Sequence, residues 1–146
     1  MSEKIIDKLI ISNPYEEPRH HWQYNRENQG FDKLGGRRKS GTLHASSISR
    51  KIIDDPGEFR ELKTVNIIRN RVFNWRKNGY KNITQITNNL LNHWKDNSVR
   101  ELPFFWCQLE AIETLIWLNE SNEAEKEGIK LNNDEIQSWK RECVKL

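Results

Sequence analysis

The chain is short of apolar residues: 35% of its 146 positions are hydrophobic, and the mean hydropathy is −0.91. A core drawn from so little is thin, and burial on folding is expected at the low end for a globular domain. No apolar run is long enough to cross a bilayer and no secretory leader is visible, so no membrane partner is expected and the compartment reads as cytoplasm. Cysteine is nearly missing: Cys107 and Cys143 have neither framework nor metal spacing and read as reduced thiols. His20, His21, His44 and His93 have no ligand spacing with one another or with the cysteines, which argues against a zinc site. Neither sign of charge dominates. The 24 Lys and Arg against 21 Asp and Glu leave +3, an excess that permits nucleic-acid binding without requiring it. No activated serine or cysteine constellation is evident. Glu61-Leu62-Lys63, with Asp54 and Asp55 upstream, mimics the carboxylates and lysine of a metal-dependent nuclease, but it falls in a helical pattern where that site needs strands. No catalytic residue and no metal ligand is assigned.

What the chain does have is tryptophan, six of them, each ring able to bury on the order of 200 Å². It also has one apolar stretch, residues 103–118, that stands out from the rest. Pro103 suits a first helical turn, where its missing N–H is no loss. Leu109, Ile112, Leu115 and Ile116 recur at helical steps and mark a buried stripe, leaving Glu110, Glu113 and Glu120 to face water. Gln108 is the polar exception among Phe104, Phe105, Trp106 and Ile112. Its side chain carries a carbonyl acceptor and an amide donor together, the pair that suits an adenine edge.

Upstream, Ile5, Ile6, Leu9, Ile10 and Ile11 form a short amphipathic lead broken by Pro14 and Pro18. Residues 19–24 read as a strand with Trp22 and Tyr24 on one face, and Phe31 to Leu34 as its hairpin partner. Gly35-Gly36-Arg37-Arg38-Lys39-Ser40-Gly41 is a flexible basic loop, either a phosphate-contacting element or a solvated loop. A helix is expected over residues 58–77, with Leu62, Val65, Ile68, Val72 and Trp75 inward and Asn78-Gly79 ending it. Its other face carries Arg60, Lys63, Arg69, Arg71, Arg76 and Lys77; this is a solvated face first and a nucleic-acid backbone contact second. A second helix covers about residues 84–96, capped by Asn82 or Thr84, with Ile83, Ile86, Leu90, Leu91 and Trp94 inward. The helix opened by Pro103 runs to about residues 127–128. A short fourth helix holds Ile136 and Trp139, and Cys143-Val144-Lys145-Leu146 reads as the start of a strand.

Several of these segments, in this order, resemble a known family. Asn13-Pro14-Tyr15-Glu16-Glu17-Pro18-Arg19-His20-His21-Trp22 is similar to the opening of helicase-like proteins related to the restriction subunit of type III restriction-modification systems. The loop Gly36-Arg37-Arg38-Lys39-Ser40 resembles a basic motif that follows there. So does the run from Ile68 through Trp75 to Tyr80, continuing through Thr84 and Leu90-Leu91 to Trp94. Phe104-Phe105-Trp106-Cys107-Gln108-Leu109-Glu110-Ala111 resembles the glutamine-containing segment before the ATPase core. Residues 41–54 depart from the pattern. In the family a strand similar to residues 143–146 leads into a phosphate-binding loop ending in Gly-Lys-Thr or Gly-Lys-Ser, and that loop is not in this sequence.

The expected fold is therefore mainly α (α+β): a helical module with a small β-hairpin and the start of a RecA-like strand at residues 143–146. Residues 1–55 form an extended, β-rich segment with the basic loop, and residues 56–146 a helical region leading to the first helicase lobe. The resemblance implies the N-terminal portion of a DEAD/DEAH-box helicase or translocase of phage defence, inactive as this chain for want of Walker A and B motifs. ATP and Mg2+ belong to the full-length family, with no cofactor in this chain. Gln108, Phe104 and Phe105 would read adenine. Arg37, Arg38, Lys39, Arg69, Arg71 and Arg76 would contact DNA weakly and without sequence preference. Partners would be DNA and the remaining helicase lobes, or a helicase or modification partner. The alternative is a stand-alone small DNA-binding or helicase-interacting protein of a defence system.

Overall fold

Polar, turn-rich sequence in the first half and apolar periodicity in the second give a mixed α and β fold, seen in a computed structural model that describes residues 8–44, 56–96, 98 and 101–129. The strands are β1 (His20–Asn25), β2 (Gly30–Gly35), β3 (Gly41–His44) and β4 (Glu58–Glu61), and the helices are α1 (Lys63–Lys77), α2 (Gln85–Lys95), α3 (Trp106–Glu120) and α4 (Glu123–Lys126). The strands form two separate antiparallel pairs, β1–β2 and β3–β4. The expected fourth helix at Ile136 and Trp139 and the expected RecA-like strand at residues 143–146 lie outside the described residues, as do Asp54, Asp55, Ile5 and Ile6.

The first pair is the expected hairpin. Trp22 faces Lys33 and Tyr24 faces Phe31 across it. Its turn is stapled by two asparagines, Asn25 Oδ1 accepting from Glu27 N–H and Asn28 Oδ1 from Gly30 N–H, the local side-chain bonds that favour this residue in turns. The second pair corrects an expectation. Residues 58–61 do not open the helix; they form β4 and pair with β3, Thr42 opposite Arg60 and Leu43 opposite Phe59. The ladder joins residues on both sides of position 55. Gly41 makes it possible, since a Cβ there would lie 2.3 Å from the Phe59 ring and 2.5 Å from the Arg60 carbonyl; glycine permits this close approach. Asn66, on the first turn of α1, then clamps the strand entry: it donates to the Ser40 carbonyl (3.0 Å) and accepts from Ser40 N–H (2.8 Å).

The core sits between the helices. Val72 and Trp75 of α1, Leu91 of α2 and Trp117 of α3 are buried, with Ile68, Tyr80, Ile83, Trp94, Ile116 and Ile129 packed against them. Thr84 caps α2 as expected, accepting from Thr87 N–H. Two expected core residues of α2 are not in the core: Ile86 is 73% exposed and Leu90 43%. The inward line runs through Leu91 and Trp94, with Ile83 packing from just before the helix, and an eleven-residue helix has only one such line to give. Val65, in the first turn of α1, is likewise exposed.

The third helix departs most from expectation. It begins at Trp106, with Pro103 outside it, and stops at Glu120, where Ser121 turns extended and Asn122 starts α4. Its buried residues are Glu113 and Trp117; Leu109, Ile112 and Ile116 of the expected stripe are half-buried, as are Trp106 and Glu110, and Leu115 is exposed. All three glutamates expected to face water are used. The Glu110 carboxylate takes both terminal nitrogens of Arg37 in the basic loop. Glu113 is wholly buried. Glu120 accepts from Thr84 N–H (2.7 Å) and the Thr87 hydroxyl (2.5 Å) at the start of α2. A carboxylate there meets the positive end of the helix dipole, and those bonds, the hydroxyl's first, hold the Glu120 carboxyl below its ordinary pKa. The carboxylates of α3 thus tie it to the hairpins and to the helices alike.

Candidate nucleic-acid interface

The six cations expected to meet DNA fall into two groups, divided by what each already touches. Arg76 donates from Nε to Glu113 Oε2 at 2.7 Å, and its guanidinium lies over the Trp106 ring at 4.5 Å. Tyr80 donates its hydroxyl to Glu113 Oε1 (2.5 Å), and Lys95 Nζ stands 3.2 Å from the same oxygen. One buried carboxylate thus faces two cations and a phenol where α1, α2 and α3 meet, and burial lowers the Lys95 pKa despite Glu113. Tyr80 adopts φ +56 to reach this position, a left-handed conformation costly for a bulky residue. Arg71 donates to the carbonyls of Glu125 and Glu127 at 2.7 and 2.6 Å. It closes the end of α4, where a cation complements unpaired carbonyls. Arg71 and Arg76 are therefore engaged within the fold, Arg71 on the carbonyls that close α4 and Arg76 on the buried Glu113.

The other four are brought together. Arg37, Arg38, Lys39 and Arg69 border a shallow depression with Pro18, His20, His21, Ser40, Gly41, Leu43 and Phe59. It opens into a cleft of about 690 Å³ between the two strand pairs, where Arg26, Tyr24, Gln23, Leu34 and Glu58 also line the walls. Within it Arg37 is tied to Glu110 and lies 3.8 Å from Glu17. Its pKa is raised, first by the Glu110 hydrogen bonds. Arg69 donates to the Arg38 carbonyl, while burial and then the neighbouring Arg37 lower its pKa. Lys39 pairs with Glu61 at 3.2 Å on the surface, a contact of little energetic weight. Arg38 is exposed and stacks over Phe59 at 5.2 Å. Arg38 and Lys39 are the two that can turn to a phosphate at small cost.

Arg26, Tyr24, His21 and Phe59 were not legible as site residues. His21 Nδ1 donates to the Gly36 carbonyl at 2.9 Å and pins the basic loop to β1. The signal that could have found Phe59 is its isolation: an aromatic in a charged stretch, two residues past Gly57.

Gln108 is exposed, and its Oε1 accepts from Phe105 N–H at 3.0 Å, closing the first turn of α3. Phe105 stacks on Tyr15 (5.3 Å between centroids), and Phe104 stands edge-on to Trp94 (6.4 Å). Reading an adenine edge takes a donor and an acceptor together, and here one of the two lone pairs of the Gln108 acceptor is engaged. As arranged, Gln108 and Phe105 close the start of α3, and Phe104 packs on Trp94. Glu61 is paired within β4, so the nuclease-like tripeptide is split between a strand and a helix cap. Among the described residues no group of three His, Cys, Asp or Glu is placed to hold a metal. Cys107 is a free, exposed thiol. No helix among the described residues is long and apolar enough to cross a membrane. Compared with known proteins, the chain matches no family model, no curated protein and no solved structure.

Proposed function

We propose that this chain is a nucleic-acid-binding module of a restriction-type helicase or translocase, working in the cytoplasm. Arg38 and Lys39 hold the nucleic-acid backbone, and Arg37 and Arg69 support them. The observation that carries this reading is the cleft between the two strand pairs, which the loop cations Arg37, Arg38 and Lys39 line together with Arg26, with Arg69 on the adjoining depression. Mobile cations on a concave surface neutralise phosphates and release counterions, which gives sequence-independent binding that weakens with salt. The helicase part rests on the sequence resemblance. A packing role against a motor lobe is favoured by the exposed apolar side chains of α3, Leu115 at 61% and Leu118 at 38%. ATP and Mg2+ would belong to that lobe, so the chain alone is expected not to release phosphate from ATP. An adenine-reading role for Gln108 would use its amide N–H and the second lone pair of the carbonyl oxygen that accepts from Phe105 N–H.

The test is fluorescence anisotropy of labelled duplex and single-stranded oligonucleotides at low and moderate salt. Binding that falls with salt, and falls in Arg38→Ala/Lys39→Ala with the melting temperature unchanged, is the expected result. No binding at low salt, or binding indifferent to the double substitution, would remove the proposal.

A further inference from the structure

We infer that the cleft takes single-stranded nucleic acid, with bases turned inward, in preference to a duplex. This deepens the reading above and rests on it. The cations stand with planar side chains: Tyr24 and His21 from β1, and Phe59 from β4. A duplex keeps its bases stacked inside and offers a flat protein surface mainly phosphates. Rings at the walls of a concavity would then have nothing to do. Unpaired bases offer a π-face to any aromatic ring, and a basic groove with stacking platforms is the usual form of single-strand sites.

The size agrees. About 690 Å³ lies within the roughly 300–1,000 Å³ of small-molecule pockets, room for unpaired bases to enter.

A second, independent observation is Tyr24. Its ring stands edge-on to Phe31 (5.3 Å between centroids), and its hydroxyl is shielded from water with no hydrogen-bond partner among the described residues. A shielded hydroxyl left unpaired is unfavourable, and a turn of the Tyr24 ring toward the cleft it lines would bring the hydroxyl to the polar edge of a base. Phe59 is held ready in a different way. Gly41 lets its ring lie flat across β3, Arg38 covers it at 5.2 Å, and it keeps 41% of its surface open. An arginine over an aromatic ring is also a surface on which a base can stack. Glu58, which also lines the cleft, disfavours phosphates at its own end. The backbone would therefore run along the Arg38–Lys39 side.

The experiment compares a labelled oligothymidylate of about ten nucleotides, within the span of one small module, with a duplex of the same length at low salt. The single strand should bind at least tenfold more tightly. Tyr24→Phe and Phe59→Leu should each weaken single-strand binding several-fold and leave duplex binding unchanged, with circular dichroism melts confirming that both variants fold. Equal affinity for the two forms, or folded variants that lose nothing on the single strand, would overturn the inference. Salt-dependent binding through Arg38 and Lys39 would then still stand. Absence of binding to either form would instead remove the nucleic-acid reading itself.

Discussion

Two regions of this molecule spend their positive charge in opposite ways. In the helical half, Arg76 and Lys95 converge on a wholly buried carboxylate, Glu113. At the cleft, Arg38 and Lys39 lie exposed, one on a ring and one in a surface ion pair. Along the sequence these residues look alike, as basic positions in a slightly basic chain. The difference is made by where α3 places its acids. Glu110 and Glu113 take up Arg37 and Arg76, the carbonyls at the end of α4 take up Arg71, and Arg38 and Lys39 are left exposed. A buried cation needs its partner; an exposed one is free to exchange it.

The sharpest way to break the comparison is to remove Glu113. Glu113→Ala leaves Arg76 and Lys95 without their shared anion and Tyr80 without an acceptor, and should cost about 3–5 kcal/mol. Urea denaturation followed by tryptophan fluorescence reads this directly. A loss below about 1 kcal/mol, the range of surface pairs, would contradict the role given to the buried cluster. Arg37 lies between the two groups and should give an intermediate effect: Arg37→Ala leaves the Glu110 carboxylate without its charged donors and should cost about 1.5–3 kcal/mol.

The Arg37 pair also has a pH signature. Burial pushes the Glu110 carboxyl upward, but the hydrogen bonds and charge of Arg37 outweigh it and hold the group below its ordinary value of 4.5. The folded state therefore binds this proton less readily than the unfolded chain. The stabilisation stands in full above about pH 4.5 and is lost as pH falls through the lower folded value. Stability measured from pH 6 to pH 3 should fall less steeply in Arg37→Ala than in the parent chain. Equal slopes would show that the pair contributes nothing.

The smallest effect concerns the start of α3. Gln108→Ala removes the acceptor for Phe105 N–H and should cost about 0.5–1.5 kcal/mol in a thermal melt. A change within error would mean that the cap is idle and that Gln108 is free for another ligand.

How much could be read from the sequence follows the same division. The first hairpin, the end of α1 at Asn78-Gly79, the Thr84 cap and the core made by Val72, Trp75 and Leu91 were all legible, because turn chemistry and periodicity are local. The face of α3 was not. That helix carries apolar residues all round, so periodicity picked out Leu109, Ile112 and Ile116, which are half-buried, with the exposed Leu115, and passed over the buried Glu113 and Trp117. Trp106 and Trp117, flanking Glu110 and Glu113 at helical steps, were the overlooked sign. Strand β4 was not legible either, since Glu58-Phe59-Arg60-Glu61 shows no alternation and becomes a strand only by pairing with Gly41–His44. The basic loop was visible as a motif. Its cleft was not, because the opposite wall comes from residues 56–59, far along the chain.

In the proposed division of charge, Arg38 and Lys39 meet a partner while Arg71 serves the fold. Measuring binding of the single-stranded oligonucleotide over a range of salt concentrations tests it directly. Arg38→Ala/Lys39→Ala should flatten the dependence of log affinity on log salt by about 1.4, two phosphate contacts' worth on a single strand. Arg71→Ala, which removes the donor to the Glu125 and Glu127 carbonyls, should leave the slope as it is. An unchanged slope in the double variant, or a flattened one in Arg71→Ala, would contradict the division of charge drawn here.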